Sequence, residues 1–247
     1  MFPILCFVVS ILLTILGAKA LGVGYEEIPL LTFLVPVLWI LPHKRNEAAL
    51  LVGGMMTYAA TLPYQPIALS IGQWILFPLL TVAFSKRSSR KVILITTSIL
   101  LSLQIAIMVI QHLDSLEGLP LMTALQLASI SAIWKALRFK VKHGERWWAL
   151  GLIIPLGFAG LFHATVVALS IVGMSYAFDF LSRIKNFNWS KLLHWTVPTV
   201  GFAALVVSPR VEVPHSILVV WMCLLGTAWA TDYILRSIET ESVNTPD

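Results

Sequence analysis

The chain reads as an all-helical polytopic membrane protein, a bundle of about ten short spans whose last four form two like-oriented hairpins. Three observations lead there. Apolar residues make up 58% of the 247 residues and charged residues only 12%, with a mean hydropathy of +0.86. A soluble domain carries roughly 25% charged residues, and a chain this poor in them could not cover itself with polar surface. Apolar runs recur from end to end without the polar–apolar alternation of barrel strands. Lipid gives backbone amides no hydrogen-bond partner, so helices are the remaining way to span it. Finally, basic residues cluster in every second connector between the runs.

The spans fall at roughly 2–20, 28–42, 48–62, 67–84, 92–110, 119–134, 147–162, 164–181, 195–208 and 216–235. The first is an apolar run that meets no charge before Lys19. The second ends at His43, Lys44 and Arg45, and the third at Pro63. The fourth lies between Pro66 and Lys86, the fifth between Lys91 and Gln111, and the sixth between Gly118 and Lys135. The run over 147–181 is too long for one helix at 1.5 Å per residue across ~30 Å of hydrocarbon, so it is divided around Gly160 to His163. The ninth stops at Pro209 and the tenth at Arg236. Several spans are shorter than the usual ~17–25 residues, so their ends reach into connectors or neighbours bury them. Residues 1–238 form one transmembrane domain and 239–247 a short polar tail.

The charges set the orientation. Of seventeen Lys and Arg, all but Lys19 and Arg210 follow even-numbered spans. The other connectors carry Glu26, Glu27, Asp114, Glu117 and Glu212. The positive-inside rule makes the basic side cytoplasmic, so both termini are expected there, in a bacterial inner membrane. A missed span would switch every later loop and abolish the asymmetry. Trp39, Trp134, Trp147, Trp148, Trp189 and Trp195 border the basic loops, where an indole suits the headgroup layer. One alternative concerns the start: residues 4–16 could be a signal core with Ala18-Lys19-Ala20 as its cleavage site, although no Lys or Arg precedes it.

An internal repeat links the last spans. Residues 163–184 align without gaps on 216–237, so that Gly173, Ala177, Asp179 and Arg183 meet Gly226, Ala230, Asp232 and Arg236. Upstream, Pro155, Gly157, Phe158, Ala159 and Leu161 echo Pro198, Gly201, Phe202, Ala203 and Leu205. Each Asp precedes its Arg by four residues, on one helix face near the boundary. Such a pair neutralises a carboxylate and anchors a helix end; alternatively the two helices present carboxylates to a site.

Polar groups inside spans are the candidate functional residues. Gln73, Gln104 and Gln126 lie roughly 10 Å below the outer ends of spans four, five and six, with Thr57 and Tyr58 slightly shallower on span three. Uncharged donors and acceptors at one level could line a pocket for a neutral or zwitterionic solute, or could serve as hydrogen-bonded glue between helices. No Asp, Glu, Lys or Arg falls at mid-span, which argues against a carboxylate ion relay or a voltage sensor. His112, Asp114, Glu117, His163, Glu212 and His215 occupy outer connectors without metal-ligand spacing. His43, His143 and His194 read as interfacial neighbours of the basic loops. Cys6 and Cys223 lie in apolar runs and read as small hydrophobes. Gly53, Gly54, Gly157, Gly160, Gly173 and Gly226 read as close helix contacts. Pro36, Pro78, Pro155 and Pro198, within spans, could shape a cavity.

No hydrolase, metalloprotease or phosphate-binding motif is present, so no cofactor or metal is expected and the reading leans away from an enzyme. The net charge of +5 sits in the loops, which excludes a nucleic-acid partner. The expected partners are the lipid bilayer, a small-molecule solute and other membrane subunits. A small-solute transporter, or the membrane subunit of one, is the leading function. A non-catalytic scaffold or assembly subunit is the alternative, and an intramembrane enzyme built on the boundary Asp pair the third. Ten spans match in number the plan of exporters built from two inverted five-helix halves, but the repeat here joins adjacent hairpins of like orientation.

Overall fold

The structure, a computed structural model, describes residues 2–42, 44–137, 147–184, 188 and 191–244. The described residues are mostly helical, with no strand among them. Helices in chain order are α1 (Phe2–Gly24), α2 (Leu31–Trp39), α3 (Arg45–Thr61), α4 (Ile67–Gly72), α5 (Leu76–Ala83), α6 (Arg90–His112), α7 (Pro120–Leu137), α8 (Ile153–Phe158), α9 (Phe162–Ser182), α10 (Val197–Val206) and α11 (His215–Asn244). Helix thus occupies each of the ten expected positions, and the long run after 147 breaks at Gly160, whose φ of 72° suits a residue without Cβ. The expected tail is helical as far as Asn244.

Four helices are long and apolar enough to cross a membrane: α1, α6, α9 and α11. Of the remaining segments, α3 and α7 are slightly longer than the spans expected for them, and the others are shorter or broken. Pro36 lies inside α2, which has nine residues and reaches only about 14 Å; six of those nine are buried by neighbours. Between α4 and α5 the 3-10 turn Gln73–Ile75 interrupts the α-helical ladder, and Pro78 withholds one more amide. The π turn Leu192–Thr196 leads into α10 at Val197-Pro198.

The α4–α5 rod is the axis of the packing. Its Ile67, Ile71, Leu76 and Phe77 join a core with α1, α2, α3, α7 and α9. Its Ala68, Leu69, Ile75 and Leu79 join a second core with α6, α10 and α11, in which Phe202 stacks on Trp221 at 4.6 Å. Small residues set the closest approaches. A Cβ at Gly17 would lie 3.0 Å from Ser170 Cβ, and one at Gly54 would lie 2.9 Å from the Ser129 carbonyl oxygen. The expected close contact therefore holds at Gly54 and at Gly173, which meets Leu13, but not at Gly53, Gly157, Gly160 or Gly226, where nothing lies within 4 Å.

Contacts between helix ends define two ends of the bundle. At one, Phe2 meets Phe180 edge-on at 4.6 Å, Phe84 meets Trp134 at 5.7 Å, and Arg87 pairs with Glu239 at 2.9 Å. At the other, Gln65 donates to the Leu119 carbonyl and Gly24 abuts His163. The described basic connectors belong to the first end. Arg138, Lys140, Lys142, Arg146, Lys185, Trp189, His43 and His143 lie outside the described residues. Trp148 is exposed as a headgroup indole would be, but Trp39 and Trp134 turn inward and are buried, Trp134 donating to Thr81 Oγ1 at 3.0 Å. His194 is likewise buried, its ring 5.6 Å from Phe77, rather than interfacial.

Candidate functional site

A cavity of about 250 Å³ lies between α1, α2, α3, the α4–α5 rod, α7, α9 and α10. It exists because small residues face large ones across it. Gly17, Ala18, Ser175 and Gly201 leave space that the aromatic rings of Phe33, Tyr58, Trp74 and Phe77 do not fill. Pro198 also lines it, as a span proline shaping a cavity should. The floor, at Leu21, Phe33, Tyr58 and Ile71, is buried. Lining residues at the opposite end, Leu137, Phe178, Asp179, Ser182 and Leu193, are half-buried and sit by the basic connectors. The space therefore opens toward that end.

Tyr58 joins cavity and frame. Its ring stands edge-on to Trp74 at 5.3 Å and to Phe33 at 6.4 Å. Its hydroxyl donates 2.9 Å to the carbonyl of Ser70, in the last turn of α4 where carbonyls lack α-helical partners. The Ser70 hydroxyl in turn accepts from Gln126 Nε2 at 2.9 Å. Three helices are thus tied at one buried serine.

The structure separates the three glutamines. Gln126 turns to Ser70, as interhelical glue would. Gln73 and Gln104 share a different, much smaller space with Trp221, on the far side of the α4–α5 rod. None of the three lines the large cavity, and Thr57 is exposed. The expected convergence on one pocket fails because depth along a helix says nothing of direction around it, and adjacent residues of the 3-10 turn diverge: Trp74 faces the large cavity, Gln73 the small one.

The two boundary pairs also differ in setting. Arg183 donates to Asp179 and Arg236 to Asp232, each at 2.5 Å and four residues apart. Asp179 lines the mouth of the cavity, whereas Asp232 and Arg236 do not touch it. Among the described residues, the Asp179 carboxylate is the one charged group in the lining. The cavity is otherwise hydrocarbon and aromatic, relieved by the hydroxyls of Thr14, Ser175 and Ser182. Each of these hydroxyls already donates to a backbone carbonyl of its own helix.

A polar cluster that the sequence did not announce lies at the other end of the bundle. Gln111 Nε2 donates to Gln65 Oε1 at 2.9 Å, Thr123 donates to Gln111 Oε1 at 2.7 Å, and Gln65 Nε2 reaches the Leu119 carbonyl at 2.6 Å. Gly118, with φ of 100°, passes so close that a Cβ would lie 2.5 Å from Gln65 Oε1. Two glutamines at the ends of apolar segments, beside a glycine turn, were the available signal. Among the described residues no three His, Cys, Asp or Glu side chains come together as a metal site.

The chain matches no known family model, curated protein or solved structure.

Proposed function

We propose that this chain is a ten-span membrane protein that takes an uncharged, largely apolar small solute into the 250 Å³ cavity, as a transporter or the membrane subunit of one. The cavity carries the reading. A cavity of ~150 Å³ lined by aliphatic and aromatic groups binds benzene, so this larger one has room for a one- or two-ring molecule. An apolar lining with a few hydroxyls and a single carboxylate already paired to arginine suits a neutral solute better than the strongly polar or zwitterionic one expected of a glutamine pocket.

Ten crossings are supported by helix at all ten expected positions and by the two sets of end contacts. The exposed apolar faces support lipid around the bundle. In the most apolar stretch of α6 only 17% of residues are buried, and α11 exposes Val219, Met222 and Trp229. Such continuous apolar surface is untenable in water. With the basic connectors inside, the cavity opens to the cytoplasm and its buried floor at Leu21, Phe33, Tyr58 and Ile71 lies toward the outer side. The paired Asp–Arg turns of α9 and α11 support the hairpin repeat, with only the first copy placed at the cavity.

Thermal unfolding of the full chain in detergent, with increasing indole as a neutral two-ring probe, tests the reading. Saturable stabilisation is expected in the wild type, and its loss in Ser175→Phe, which fills the cavity. Equal, unsaturable shifts in both proteins would reject the cavity as a binding site and leave the scaffold reading ahead.

A further inference from the structure

We propose that the small cavity between the 3-10 turn Gln73–Ile75, α6 and α11 is a binding site for one water molecule, held by Gln73, Gln104 and Trp221. The cavity measures about 10 Å³ and is lined by these three side chains with Leu69, Ile107 and Ile217 among its apolar walls. That is about the smallest space that admits a water and too small for a larger ligand. Gln73, Gln104 and Trp221 are 2%, 3% and 9% exposed, so bulk solvent does not reach them.

Polar atoms of the three lining residues are unsatisfied. Among the described residues, both amide atoms of Gln73, the Gln104 carbonyl oxygen and the Trp221 indole nitrogen are buried without a hydrogen-bond partner. Together they offer three N–H donors, two on Gln73 Nε2 and one on Trp221 Nε1, and two acceptors, Gln73 Oε1 and Gln104 Oε1. Water brings two donors and two acceptors, so one molecule gives each of the four atoms a partner and leaves only the second Gln73 N–H over. A bare cation would face the N–H groups of Gln73 and Trp221, and an anion the two carbonyls. Ammonia, with three donors and one acceptor, leaves one of the two nitrogens unmet. The mixed set therefore selects water by charge, by hydrogen-bond count and by volume.

The site has a mechanical consequence. Gln73 lies in the turn that breaks the α4–α5 rod, and Trp74, its neighbour, faces the large cavity. A four-bonded water would tie that break to α6 and α11, holding the turn from the side opposite the cavity.

Two measurements on the full chain test this. In nanodiscs, the indole N–H resonance of Trp221, identified by its disappearance in Trp221→Phe, should show a magnetisation-transfer cross-peak at the water frequency. The cross-peak should be lost in Gln73→Leu/Gln104→Leu while the indole resonance remains. A structure at a resolution that resolves waters should show one within about 3.2 Å of at least three of the four atoms. Absence of the cross-peak in the wild type would overturn the site. So would a structure in which the glutamines bond directly to each other or to Trp221 with no water between them.

Discussion

At Tyr58 the ring and the hydroxyl serve different neighbours: the ring closes the floor of the cavity and the hydroxyl holds a carbonyl that α4 leaves unmatched. Tyr58→Phe keeps the ring and removes the bond. It is expected to lower unfolding stability in detergent by about 0.5–1.5 kcal/mol while leaving indole binding within a fewfold of wild type. Gln126→Leu removes the other tie to Ser70. Because both act through Ser70, their combined loss should differ measurably from the sum of the single losses, and a double-mutant cycle reads that coupling. Strict additivity would show that the serine does not connect them. The sequence made these residues visible as polar groups inside apolar runs, and their depth followed from chain position. Which seam each entered was not legible, because the direction of a side chain depends on how the helices pack. Gln65 and Gln111 were hidden for a related reason: at the ends of runs they look like ordinary connector residues until the fold brings them within 2.9 Å.

Helix contacts show the same limit at the scale of elements. Gly53 and Gly54 read alike in sequence, yet a Cβ on Gly54 would press on the backbone of α7 while one on Gly53 meets open space. Gly54→Ala is therefore expected to destabilise by about 1–3 kcal/mol, the range for overpacking a close contact, and Gly53→Ala to be neutral or slightly stabilising. Parallel thermal melts of the two variants decide it, and equal losses would contradict this packing of α3 on α7. The repeat diverges in a similar way. Gly173 of α9 abuts Leu13, whereas Gly226 of α11 has no neighbour within 4 Å; Asp179 reaches the cavity and Asp232 does not. Helix positions were legible because apolar runs, prolines and charges mark them. The shortness of α2 and the 3-10 break before α5 were not, since both arise where neighbours bury a segment that lipid alone could not support. At the turn, Gly118→Ala combines a φ of 100° with a contact on Gln65. It should cost about 1–3 kcal/mol and loosen the end that holds the glutamine cluster, read as faster proteolysis between α6 and α7. Unchanged cleavage would show that the cluster does not hold that end shut.

For the whole molecule, the distribution of charge and the distribution of cavity space point the same way. The basic connectors, the Asp179–Arg183 pair and the mouth of the cavity share one end, and the neutral glutamine cluster lies at the other. The α4–α5 rod, packed on both sides, separates the large cavity from the small polar seam at Gln73. The proposed function requires that the bundle cross a bilayer with the basic end inside, and single-cysteine labelling in intact cells tests that most directly. With Cys6 and Cys223 replaced by Ala, Ser115→Cys, in the connector between α6 and α7, should react with a membrane-impermeant maleimide from outside. Ser88→Cys, between α5 and α6, should react only after the membrane is opened. Labelling of Ser88→Cys but not Ser115→Cys in sealed cells would invert the orientation, and labelling of both would contradict a bundle that crosses the membrane between them.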